Sequence, residues 1–262
     1  MSPATLLPLT LAAALVLMTG VWLVSLWRRD VSIVDPFWGP GFVLVATVGY
    51  FLAGGAAGRR LLLLVLTAIW GLRLGGYLLA RNLRSGEEDY RYQKIRAKYG
   101  ARFPWLSLVI IFWFQAVLLW FISLPVQIGQ LAATPASLTW LDGLGAAVWA
   151  LGLFFEAVGD RQLARFKADP TNRGKVLDTG LWRYTRHPNY FGDFLVWWGL
   201  FLIALATPQG WMTVLSPVVM SLFLIKVSGA GLLEKDIVHR RPQYADYIAR
   251  TSGFLPWPPR RS

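Results

Sequence analysis

The sequence contains no cysteine, which excludes disulfides, thiolate metal ligands and a cysteine nucleophile. It has two histidines, His187 and His239, too few for a histidine-based metal centre, so no metal is expected. Charged residues make up only 15% of the chain, and the acidic ones are the scarcer, 14 Asp and Glu against 26 Lys and Arg. No G-x-G-x-x-G follows a strand and no G-x-x-x-x-G-K-[ST] occurs, so neither a Rossmann site nor a P-loop is present. G-x-S-x-G and H-E-x-x-H are missing as well, which removes the common hydrolase and zinc-protease signatures. Low-complexity linkers, internal repeats and a recognisable soluble domain are also absent. A redox or group-transfer reaction carried by a diffusible cofactor fits this inventory, because the protein then supplies binding, orientation and electrostatics.

Apolar residues are what the chain has in excess. They make up 55% of it, with a mean hydropathy of +0.47, far too apolar for an ordinary soluble domain. Runs of about 20 apolar residues recur, each long enough to cross a hydrocarbon core of about 30 Å. They predict an all-α polytopic membrane protein with about seven transmembrane helices: Leu6–Trp27, Ile33–Leu52, Leu61–Ala80, Leu106–Val126, Leu141–Val158, Tyr190–Ala206 and Trp211–Leu232. The sixth is short and suits a hairpin with the seventh around Thr207-Pro208-Gln209-Gly210. The first lacks a preceding basic residue and an A-x-A cleavage signature, so it reads as a retained helix.

The formal charge of +12 follows from topology and does not call for nucleic acid. Arg28 and Arg29 share a side with three basic segments, Arg81–Arg102, Arg161–Arg186 and Lys226 onward. Arg59 and Arg60 fall opposite, and Arg73 falls inside a span. The positive-inside rule then places the N-terminus outside and the C-terminus in the cytoplasm, as expected of a multi-pass protein of the cell inner membrane. Attraction to anionic membrane lipids and to an anionic cofactor adds to the basic excess. The uncharged loop Ala132–Thr139 predicts a seam within a single integral membrane domain, residues 1–131 facing substrate and 132–262 binding cofactor.

Polar groups inside spans are costly and mark functional sites by default. Asp35 lies in Ser32-Ile33-Val34-Asp35-Pro36-Phe37-Trp38-Gly39, where Asp before Pro also suits an ordinary helix start. Arg73 and Tyr77 stand at i,i+4 on one helix face. Arg73 needs a carboxylate, a phosphate or water, and a structural pair with Asp35 or Glu156 would satisfy it. Asp35, Arg73 and Tyr77 are the catalytic candidates, with Trp38 beside substrate. Glu156 and Asp160 are again i,i+4, as are Asn189 and Asp193. Such pairs accept ribose hydroxyls or a carboxamide, and they equally satisfy neighbouring arginines. The loop from Asp160 to Lys175 adds Lys167, Asn172, Arg173 and Lys175, a run that by itself reads as a solvated face. The next stretch of chain is more specific. Gly180 to Asp193 reads GLWRYTRHPNYFGD and sets groups that bind phosphates, riboses and flat rings at a helix entrance.

The stretch from Thr179 to Asp193, with the tail Tyr244-Ala245-Asp246-Tyr247 through Phe254-Leu255-Pro256, resembles the C-terminal signature of the steroid 5-alpha-reductase family, its bacterial branch above all. The resemblance covers most of the chain and is specific in the last hundred or so residues. It implies an integral membrane oxidoreductase that uses NADPH to saturate a carbon–carbon double bond conjugated to a ketone, as in 4-ene-3-keto steroids. It places Asp160, Lys167, Arg173, Lys175, Tyr184, Arg186, His187, Asn189, Tyr190 and Asp193 around NADPH. The wider cofactor-side set adds Glu156, Asn172, Trp182, Glu234, His239 and Arg240. Asp35 takes the place of an acid that meets the substrate ketone, where eukaryotic members have Glu. A tyrosine is expected on the substrate side. Trp70 aligns near its place and Tyr77 lies a turn or two away, so either is a candidate partner for Asp35. The lipophilic enone, a steroid or an isoprenoid-like lipid, enters from the bilayer.

Arg186-His187-Pro188-x-Tyr190-x-Gly192 also resembles the membrane methyltransferases that modify isoprenylcysteine or phospholipids with S-adenosylmethionine. Three features favour the reductase. The basic residues ahead of the motif suit a cofactor with several phosphates. Asp35, Arg73 and Tyr77 supply the acid-side groups that hydride addition to an enone needs. The N-terminal half is also more similar to the reductase branch. A non-catalytic lipid-binding scaffold would explain the hydrophobicity but not the concentration of polar groups at one membrane level.

Overall fold

A computed structural model describes residues 1–227 and 244–260. Glu234, His239 and Arg240 lie outside the described residues. The described residues are helical with no strand among them, as a bilayer requires of a chain that must satisfy its backbone polar groups internally. Among the described residues, six stretches are long and apolar enough to cross a membrane: Pro3–Arg28, Val31–Leu52, Ala57–Ser85, Tyr90–Ile122, Trp140–Ala168 and Pro188–Leu205. They coincide with the first six runs read from the sequence. A shorter apolar helix, Gly210–Ile225, covers the start of the seventh, and the rest of that run falls beyond residue 227.

The chain divides into two compact units, one of Met1–Asp142 with Ile203–Ser216, the other of Gly143–Leu202 with Pro217–Ser262. The boundary falls after the uncharged loop and is crossed twice more, where the sequence suggested a single seam.

In the first unit, α1 (Pro3–Arg28) begins with proline in its first turn and ends at Arg29 in the left-handed region, φ 55°. Asp30 then caps a single 3-10 turn, Val31–Ile33, by accepting from the Ser32 amide at 2.8 Å. α2 (Val34–Leu52) comes directly after it and packs on α3 (Ala57–Ser85). Small residues set their approach. A Cβ on Gly39 would lie 2.1 Å from the Gly71 carbonyl oxygen, and one on Gly75 would lie 2.9 Å from that of Pro36. Beside this crossing Trp38, Phe42 and Trp70 stack edge to face, each neighbouring pair 5.4 Å apart. A loop leads to α4 (Tyr90–Tyr99), and α5 (Phe103–Ser107), a π-helical stretch Leu108–Trp113, α6 (Phe114–Ile122) and α7 (Leu124–Leu131) complete the run.

Two clusters of buried polar side chains in this unit are matched to partners, although Thr67 Oγ1 and Gln130 Oε1 are buried with no hydrogen bond. Arg59, fully buried, grips Asp142 through Nε at 2.8 Å and Nη2 at 2.9 Å and donates to the carbonyls of Pro135 and Ser137. Thr10 donates to the Gln127 side chain at 2.6 Å, and Gln127 donates to Ser123 at 2.8 Å. The segment Ile203–Ser216 turns at Thr207–Gly210, where the Gly210 amide donates to Thr207 at 3.1 Å. That is where the sequence suggested a hairpin.

In the second unit, α8 (Trp140–Ala168) and α9 (Pro188–Leu205) cross on glycines. A Cβ on Gly192 would sit 2.5 Å from the Gly152 oxygen, and one on Gly199 would sit 2.6 Å from that of Gly145. α10 (Leu215–Leu222) continues as a π-helical stretch, Phe223–Val227, and α11 (Tyr244–Arg250) precedes the tail.

Candidate functional site

The sequence-derived residues gather at two places, one in each unit. In the first, Asp35 stands in the opening turn of α2, but it does not cap the helix. Its side chain is 18% exposed, accepts two hydrogen bonds and pairs with a further cation. The Tyr92 hydroxyl donates to Oδ1 at 2.7 Å, Arg91 Nη2 donates to Oδ2 at 3.1 Å, and Arg81 Nη2 lies 3.6 Å from Oδ2. Tyr92 itself is buried, and Gln115 Nε2 approaches its oxygen at 3.5 Å. In this arrangement the proton between the two side chains is donated by Tyr92 and accepted by Asp35.

Tyr92 was missed by sequence reasoning because Arg81–Arg102 reads as a basic loop. The signal available was Asp89-Tyr90-Arg91-Tyr92, a capping acid and then aromatics. Asp89 is the N-cap of α4 and accepts from the Arg91 amide at 2.9 Å. Burial pushes the Asp89 carboxyl up, but the hydrogen bonds and charge of Arg91 outweigh this and hold it below the usual carboxylate range. The turn before α4 is pinned to the 3-10 turn before α2. Val31 donates to Glu88 Oε1 at 2.8 Å, Arg96 bonds both Glu88 oxygens at 2.7 and 2.9 Å, and the Asp89 amide donates to Ser32 Oγ at 2.6 Å. These contacts carry Tyr92 to Asp35.

Trp70, expected beside substrate, has no accessible surface and belongs to the α2–α3 core against Phe42. The aromatic partner of Asp35 is thus Tyr92. Trp38 is half-buried at the open end of the same aromatic row. Arg73 and Tyr77 are half-buried one turn apart on α3.

The second unit holds a cavity of about 700 Å³, within the size range of small-molecule and cofactor sites. Of the expected cofactor residues, Lys167, Asn172, Arg173, Trp182, Arg186, His187, Asn189 and Tyr190 line it. Leu163, Phe166, Val176 and Leu177 supply apolar wall, and Tyr244 and Tyr247 close it from the tail. The imidazole of His187 lies parallel to the Tyr190 ring, 5.4 Å between centroids and 4° between planes. Trp182 is fixed by donating to the Gly159 carbonyl at 3.1 Å, and Asn189 by donating to Asp160 Oδ1 at 3.1 Å.

Glu156, Asp160 and Asp193 are buried and are not among the lining residues. Asp160 acts on the cavity through Asn189, the α8–α9 crossing holds Glu156 beside Gly192, and Asp193 comes next to that glycine on α9. Lys175 and Tyr184 are exposed and also lie off the lining. Arg186 has a structural task besides lining the cavity. Its Nη1 donates to the carbonyls of Ile248 and Thr251, and its amide donates to Ser252. Thr185 donates to the Phe254 carbonyl at 2.8 Å, and Tyr247 donates to that of Trp182. The tail residues quoted for the resemblance are thus the strap that holds the signature turn in place. No group of three or more His, Asp or Glu suited to a metal occurs among the described residues.

Residues 21–251 match the family described as "Protein of unknown function (DUF1295)". The chain belongs to this family. This DUF1295 chain is similar to an uncharacterized protein of Schizosaccharomyces pombe, 25% identical over 259 residues that span 90% of this chain and 75% of that protein. No solved structure matches it.

Proposed function

We propose that this DUF1295 protein is an NADPH-dependent oxidoreductase of the steroid 5-alpha-reductase type. It reduces a carbon–carbon double bond conjugated to a ketone in a lipophilic substrate, in the cell inner membrane. The observation that carries this reading is the Tyr92–Asp35 hydrogen bond at 2.7 Å, set at the entrance of a membrane helix and backed by Arg81 and Arg91. A tyrosine aligned by a carboxylate is a proton donor for an oxygen that gains charge during a reaction.

The cavity of the second unit fits NADPH by its donor set. Lys167, Arg173 and Arg186 offer cations for phosphates, and Asn172 and Asn189 offer amides. Trp182, His187 and Tyr190 offer flat faces for rings. When bound, NADPH supplies a hydride to the β carbon of the enone. The chain's own residues manage the proton. Tyr92 turns its hydroxyl from Asp35 to the ketone oxygen and protonates it as the carbonyl electrons move onto it, which gives the enol of the product. The saturated ketone forms as the α carbon takes a proton from water and the oxygen gives its own proton up to water. Asp35, protonated from water at its exposed edge, returns a proton to the tyrosine oxygen. Arg91 and Arg81 hold the carboxylate in line. Trp38 and the lipid-facing side of α2 and α3 offer an apolar approach for a substrate arriving from the bilayer.

Thermal unfolding with added cofactor tests the assignment. NADPH raises the midpoint by mass action if it binds the folded state, and NADH raises it less, for want of the 2′-phosphate. A shift with S-adenosylmethionine and none with NADPH would hand the cavity to the methyltransferase reading.

A further inference from the structure

The segment around α4 carries more cations than its carboxylates can use. Arg96 is bound by Glu88 at 2.7 Å, and Arg91 by Asp89 at 2.9 Å and Asp35 at 3.1 Å. Arg84, Lys94, Lys98 and Arg102 are exposed, and none has an acidic partner among the described residues. Lys94 lies over the Tyr90 ring at 5.2 Å and Lys98 over the Tyr99 ring at 5.3 Å. The opposite face of the helix is spoken for, because Tyr92 is buried and Ile95 and Arg96 are half-buried.

The position of α4 along the chain explains where this outer face lies. α3 ends at Ser85, and from Phe103 the chain runs without a charged residue to Asp142. Of the stretch Tyr90–Ile122, only the part from Phe103 is apolar enough to enter the hydrocarbon, so α4 sits where one span leaves it and the next begins. Tyr90, Tyr99 and Trp105 are exposed nearby, the aromatic types that settle at the headgroup level. We propose that the outer face of α4, centred on Lys94 and Lys98, is a docking surface for the anionic phospholipid headgroups of the bilayer that surrounds the chain. Cations fixed within a Debye length of an anionic leaflet are drawn to it, and high salt weakens the attraction. Tyr92 and Arg91 project from the same helix, so lipid held on the outer face keeps the inner face seated on Asp35. The proposal does not depend on the reductase reading, since neither NADPH nor an enone enters it.

Hydrogen exchange on the full chain in nanodiscs tests it. Residues 86–102 are compared in phosphatidylcholine alone and in phosphatidylcholine mixed with phosphatidylglycerol. The anionic lipid slows exchange there by about tenfold or more, and high salt removes the protection. Lys94→Gln with Lys98→Gln loses most of the slowing, while exchange in α1 and α8 matches the wild type and so reports an intact fold. Equal exchange in the two lipid mixtures overturns the proposal. So does an unchanged lipid response in the double variant, or the same slowing from inorganic phosphate added to phosphatidylcholine nanodiscs, which would mean a site for any free anion.

Discussion

At the scale of single residues, Tyr92 and Asp35 are one device with two parts. In the proposed reaction Tyr92 carries the proton, and Asp35 aims the hydroxyl and restores it. Tyr92→Phe keeps the ring in its buried slot and removes the proton. Turnover should fall by about 10²- to 10⁴-fold, while the NADPH-induced rise in the unfolding midpoint is retained. A fall in that rise with normal turnover would remove Tyr92 from the chemistry. Arg59 and Asp142 pose a different question at the same scale. Both are buried and fully satisfied, so removing one partner leaves a buried charge. Asp142→Ala should cost about 3–5 kcal/mol, whereas the paired replacement Arg59→Met with Asp142→Leu should cost far less. Thermal unfolding of both variants in one detergent separates them, and equal losses would mean that the charges themselves are not at issue.

At the scale of elements, two crossings set the positions of the site groups. α2 meets α3 where Gly39 faces the Gly71 carbonyl, and α8 meets α9 where Gly152 faces Gly192. Gly39→Ala would put a methyl 2.1 Å from backbone that cannot rotate away. It should therefore cost about 1–3 kcal/mol or more and reduce Tyr92-dependent turnover together with stability. Ala at Gly76, where a Cβ meets nothing within 4 Å, should be neutral or slightly stabilising in the same unfolding assay.

The helices were legible because a bilayer leaves few options to a run of apolar residues. The seat of Tyr92 was not, because it depends on Glu88 and Asp89 reaching back to Val31 and Ser32 across the length of two helices. Nothing local in Asp89-Tyr90-Arg91-Tyr92 announces that reach. The cavity was largely legible, since eight expected residues line it and most of them come from one short motif. What the motif concealed was its division of labour. Arg186 and Thr185 spend hydrogen bonds on the tail, and Asp160 works through Asn189.

At the scale of the whole molecule, charge asymmetry is the guide to orientation. Of the two cations expected on the outer side, Arg59 is neutralised by Asp142, and Arg60 is tied to the carbonyls of Tyr50 and Ala53. Arg60 keeps its charge, but two cations there stand against the larger basic segments Arg81–Arg102 and Arg161–Arg186, and that excess is what predicts a cytoplasmic C-terminus. A reporter active only in the periplasm, fused after Ser262, should stay silent, and a signal from it would reverse the orientation and the side from which a nucleotide is supplied.

The central claim is that NADPH and a lipophilic enone meet in this protein. Its most direct test is deuterium transfer in nanodiscs, with NADPH labelled at its hydride position and a 4-ene-3-keto steroid or an isoprenoid enone as acceptor. The account predicts one deuterium on the β carbon of a saturated ketone, formed by the wild type and nearly lost in Tyr92→Phe. No label in any enone product, in protein shown by its unfolding midpoint to bind NADPH, would contradict it.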